Sequence, residues 1–153
     1  MQTRVTGQSK AQASREFSKK LLLLGAAGGA AFWITDFLIA VSPITAQYQA
    51  AFSISSLPAA LVEALAGGLV IAFFISYFLL RYLDRIPAKN PFLKSLILSF
   101  GAMVIIEVLS AMGDPIHASI YFLLDTGMNA PRFLALGLVI GYFFYRQNRK
   151  VQL

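Results

Sequence analysis

The chain has no cysteine among its 153 residues and a single histidine. Without cysteine there are no disulfide staples, no thiolate metal sites and no thiol–disulfide chemistry, and nothing marks a redox compartment. The lone His117 has Asp114 and Asp125 nearby, but the three lack metal-ligand spacing, so His117 reads as an exposed loop residue and no metal or cofactor is expected. Walker loops, nucleophile elbows, HExxH and EF-hand spacings are missing as well. An enzyme would have only carboxylates to work with, so the chain reads as non-enzymatic.

Charged residues are also few, at 13% of the chain, while 58% is hydrophobic and the mean hydropathy is +0.68. Soluble domains average about 45–50% apolar. A water-soluble fold of this size could not hide so much apolar surface, and the fold class expected is an all-α integral membrane protein. Four spans of about 20 residues with short loops account for nearly the whole length.

The expected organisation is a basic tail over residues 1–20, spans near 21–41, 57–83, 92–112 and 126–146, and a basic C-terminal segment over 147–153. The tail is rich in Gln and Ser, with a short surface helix expected from Ser9 to Lys20 and Phe17 touching the membrane. A signal-peptide reading of Lys19-Lys20 and the apolar run after it is weaker, because the run is too long and contains Asp36. Ser42-Pro43 closes the first span, and Pro58 sits in the first turn of the second, where its missing N–H does no harm. Gly113-Asp114-Pro115 stops the third. The apolar segment 116–124 is too short to cross, so a short interfacial or re-entrant helix is expected between spans three and four.

Every Lys and Arg except Arg132 falls in the tail, in the turn between spans two and three with the span ends that flank it, or at the C-terminal end of span four and beyond. That bias puts both termini on the cytoplasmic side of a cell membrane. The net charge of +6 is therefore read as facing lipid headgroups, and nucleic acid is excluded as a partner.

Ala66-Gly67-Gly68-Leu69-Val70-Ile71-Ala72-Phe73-Phe74 aligns with Ala135-Leu136-Gly137-Leu138-Val139-Ile140-Gly141-Tyr142-Phe143. Spans one and three match more loosely, each with a small-residue stretch followed by a carboxylate before a proline stop. The pattern reads as two tandem helical hairpins forming a four-helix bundle. Small residues at Gly25 and Gly29, at Gly67 and Gly68, and at Gly137 and Gly141 mark helix-packing faces against a partner helix, another copy or another membrane protein.

Charges within a span are costly, so Asp36, Glu63, Glu107 and Arg132 form the candidate site. At 1.5 Å per residue they lie about 24, 27, 20 and 21 Å from Lys20, Arg81, Lys94 and Arg146, a common level toward the outer surface. Gly25, Gly29, Phe32 and Asp36 share a stripe, which aims Asp36 at a packed helix. The repeat sets Glu63 equivalent to Arg132, and a carboxylate–guanidinium pair is expected across the bundle. Two expectations follow: a mainly structural cluster in a structural, accessory or assembly component, or a proton or cation path through Asp36, Glu63 and Glu107 with Arg132 beside them.

Overall fold

The computed structural model describes the backbone of residues 2–43, 56–113 and 118–149, and the side chains of 12–43, 56–112 and 126–149. Among these residues the chain is all-helical: α1 Gln2–Ala40, α2 Leu57–Tyr82, a 3-10 turn Leu83–Arg85, α3 Pro91–Gly113 and α4 Ala118–Arg149. Each of the four helices contains a stretch long and apolar enough to cross a membrane.

Local chemistry explains the ends. The α-helical ladder of α1 ends with Val41 N–H to Phe37 O (3.0 Å), and the turn then tightens through Ser42 N–H to Ile39 O (3.0 Å), just before Pro43. Helix α2 begins after Ser56 with Pro58 in its first turn. Asn90 caps α3, its Oδ1 accepting from Phe92 N–H at 2.9 Å, and Pro91 occupies the first helical position. In the turn between them, Lys94 Nζ donates to the Leu83 carbonyl at 2.5 Å.

Two boundaries differ from expectation. The N-terminal segment is not a separate short helix, because α1 runs unbroken from Gln2. Nothing between Gln8 and Leu21 stops a helix, and Gln, Lys, Ala, Arg and Glu all favour one. Phe17 meets the ring of Tyr77 edge-on at 6.1 Å. Likewise, residues 118–124 form no helix of their own but open α4. Asp125, Thr126 and Gly127 are polar or small without being breakers, and Pro131 removes only the hydrogen bond owed to the carbonyl of Gly127. Residues 114–117, which include Asp114 and His117, lie outside the described residues, as does the side chain of Asp125.

Close approach at glycines sets the packing. A Cβ at Gly25 would meet Phe73 at 2.5 Å, and one at Gly29 would meet Leu69, including its Cα at 3.1 Å. Gly68 faces Phe32 in turn. Gly28 lies against Ile140 and Leu136 of α4, while Gly137 and Gly141 lie against Leu96 and Ser99, and Phe92 and Ser95, of α3. Along each contact one sequence rises as the other falls, so α1 runs antiparallel to α2 and α4, and α3 antiparallel to α4. One end of the molecule therefore carries Lys20, the α2–α3 turn and Asn148, with Lys20 Nζ donating to Asn148 Oδ1 at 3.5 Å. The contact between α2 and α3 is far sparser than those of α1 with α2, α1 with α4, and α3 with α4.

The core between the helices consists of Leu24, Phe32, Ala72, Ile75, Leu79, Met103, Phe133, Leu136, Ile140 and Phe144. Outward positions are just as apolar: Val62 is 67% exposed, Val70 66% and Met112 74%.

Candidate functional site

At the end opposite the α2–α3 turn, three of the four helices contribute polar side chains to one connected chain. Arg132 forms a salt bridge with Asp36 through Nη2. Its Nη1 donates to Asn129 Oδ1 at 2.7 Å, and Asn129 Nδ2 donates to Glu107 Oε1 at 2.7 Å. The order Asp36, Arg132, Asn129, Glu107 thus links α1 to α4 and α4 to α3. Asp36 and Glu107 are buried, and Arg132 is only partly exposed.

Helical periodicity places each member. Gly28, Phe32 and Asp36 follow at steps of four on the face of α1 that meets α4. Arg132, Leu136 and Ile140 do the same on α4. The stripes interlock, since Gly28 admits Ile140 and Leu136 at one level. Beside the ion pair, Phe32 and Phe133 pack edge to face at 5.5 Å and 89°. Asn129 and Arg132 are three residues apart, close enough on a helix surface for the amide to accept from the guanidinium. On the opposite face of α4, Ser99 Oγ donates to the backbone carbonyl of Phe133.

The chemistry follows from donor and acceptor types. A guanidinium only donates, and here one nitrogen serves a carboxylate and another an amide oxygen. An amide accepts at one end and donates at the other, so Asn129 passes the polarisation of Arg132 on to Glu107. A buried carboxylate and guanidinium leave each other no net charge. Glu107 is the member whose bonded partner is neutral.

The structure brings Asp36, Glu107 and Arg132 together and leaves Glu63 apart. Glu63 is exposed on α2, and Arg132 pairs with Asp36 rather than with the residue equivalent to it in the repeat. Equivalence fixes depth along a helix but not the direction a side chain faces. The expected glycine stripe also divides, because Gly25 and Gly29 face α2 while Asp36 shares its face with Gly28. Gly67 packs against nothing: it is exposed, and a Cβ there meets no atom within 4 Å, since adjacent Gly68 supplies the close approach.

Sequence reasoning missed Asn129 and Gly28. Counting only ionisable groups passes over an amide, although its position three residues before Arg132 was a usable signal. Trp33 donates its indole N–H to the Leu61 carbonyl at 3.0 Å, tying α1 to α2 near the same end. Among the described residues no group of three His, Cys, Asp or Glu side chains is placed to hold a metal ion.

No family model matches the chain, and neither the curated proteins nor the solved structures contain a match to it.

Proposed function

We propose that this chain is a four-span protein of the cell membrane with both termini in the cytoplasm. In this reading it serves as a structural or accessory component, and the Asp36–Arg132–Asn129–Glu107 chain latches its helices near the outer surface. The single observation that carries the latch is the double engagement of Arg132, which holds Asp36 of one helix while bonding through Asn129 to a third. The membrane reading is supported by apolar side chains that stay outward on all four helices, a surface that water disfavours and lipid accepts. The concentration of basic residues at the end holding the α2–α3 turn supports a cytoplasmic placement for that end.

Reading the chain as two related hairpins also accounts for its asymmetry. Under the repeat, the counterpart of Asp36 facing Arg132 is Glu107 facing Glu63. Attraction at the first pair draws α1 to α4, whereas two carboxylates at the second would repel. Glu107 bonds to Asn129 instead, Glu63 stays exposed, and the α2–α3 side is left open.

A second reading, proton or cation movement, is favoured by one observation: Glu107 is buried at 3% exposure with a neutral amide as its bonded partner. Flux in liposomes separates the two. The structural reading predicts background proton and cation flux for both wild type and Glu107→Gln, with a lower unfolding temperature for the variant. Flux above background in wild type that Glu107→Gln abolishes would establish transport instead.

A further inference from the structure

The sparse α2–α3 contact leaves a groove of about 410 Å³ between the two helices. Val70, Phe74 and Phe78 form one wall and Ile97, Gly101 and Ile105 the other. Its lining spans positions 70 to 78 and 97 to 106, roughly 12 to 14 Å along the helices. One helical turn beyond the lining, at the cytoplasmic end, stand Arg81 on α2 and Lys94 on α3. Lys94 extends its amine into the α2–α3 turn by donating to the Leu83 carbonyl. Exposed Arg85 and Lys89 belong to the same turn, with Asp84 as its one acidic residue.

We infer that this groove holds an acyl chain of an anionic phospholipid, whose headgroup phosphate sits on the basic turn at Arg81 and Lys94. The inference rests on the four-span reading above. Its chemistry is charge complementarity at the mouth and an apolar bed below: a phosphate at headgroup level meets cations, and the attached chain descends beside side chains that offer it no polar group. A second copy of the chain is a poorer occupant. Related by a two-fold axis along the membrane normal, it would bring an identical basic turn against this one, and like charges oppose that approach. Gly101 keeps the α3 wall low, since a Cβ there would meet nothing within 4 Å.

The test uses the full chain extracted in mild detergent and offered phosphatidylglycerol or phosphatidylcholine with identical acyl chains, with bound lipid counted by native mass spectrometry. Wild type is expected to retain phosphatidylglycerol in preference to phosphatidylcholine. Arg81→Gln with Lys94→Gln removes two cations and weakens phosphatidylglycerol binding by about thirtyfold. Gly101→Leu, which fills open space and so leaves the fold intact, lowers retention of both lipids. Equal retention of the two lipids by wild type, or phosphatidylglycerol retention unchanged by Gly101→Leu, overturns the inference. So does a disulfide-linked dimer formed by Ile105→Cys in vesicles, which assigns the groove to a second copy. These outcomes leave the four-span reading standing, because that reading fails only if cysteines placed at opposite helix ends label from the same side.

Discussion

Arg132 of α4 bridges to Asp36 of α1 beside the level at which Phe133 and Phe32 meet edge to face. An ion pair backed by aromatic rings is screened little by water, so deleting one partner strands the other. Arg132→Met is expected to destabilise the protein by about 3–5 kcal/mol. Arg132→Lys keeps the charge but loses the fork that serves Asp36 and Asn129 together, and should fall between Met and wild type. Thermal unfolding in detergent gives the order.

Asn129→Leu leaves the ion pair in place and removes the link to Glu107. The buried carboxylate then lacks its donor, and the loss should be about 1–3 kcal/mol, smaller than for Arg132→Met. If Asn129→Leu equals Arg132→Met, the ion pair is not the stronger part of the chain.

The glycines divide by what a methyl group would strike. At Gly29 and Gly141 the obstacles include backbone, Leu69 Cα at 3.1 Å and Phe92 Cα at 3.0 Å, which cannot rotate away. Gly29→Ala and Gly141→Ala should each lose about 1–3 kcal/mol. Gly67→Ala meets nothing and should be neutral or gain up to about 1 kcal/mol from helix propensity. Unfolding temperatures of the three alanine variants check this directly.

Trp33 is the single tryptophan, and its indole donates to the Leu61 carbonyl. Trp33→Phe keeps the aromatic contact with Phe37 but loses the donor, an expected loss of about 1 kcal/mol. The wild-type fluorophore also reports α1–α2 separation, so its emission should shift when Gly29→Leu pries those helices apart.

The absence of native cysteine makes a topology map clean. Ser14→Cys and Lys89→Cys, at the end with the α2–α3 turn, should react with an impermeant thiol reagent from the cytoplasmic side only. Ser56→Cys, at the opposite end, should react from outside only. Labelling of Ser14→Cys and Ser56→Cys from one side contradicts the four-span topology.

The helices were legible because long apolar stretches are one-dimensional signals, and prolines at 43, 58 and 91 mark ends through the chain's own covalent chemistry. The continuity of α4 was less so: an apolar segment too short to cross looks like a separate element until nothing is found to break it. The common level at which Asp36, Glu107 and Arg132 meet could be read by counting from basic anchors. Azimuth could not, since steps of three and four residues both keep a helix face, and in α1 they lead from Asp36 to two different neighbours. Gly28 lies on the path to α4, and Gly25 and Gly29 on the path to α2. Arg132 found Asp36 rather than Glu63 because α1 and α4 are adjacent, a relationship between distant segments that no local pattern records.

The central claim is that Asp36 and Arg132 hold α1 against α4, and a charge exchange tests it most directly. Asp36→Arg and Arg132→Asp should each lower the unfolding temperature in detergent sharply, by placing two like charges in a buried contact. The double variant Asp36→Arg with Arg132→Asp restores opposite charges and should recover a substantial part of that loss. A double variant no more stable than the sum of the two single losses predicts would contradict the account.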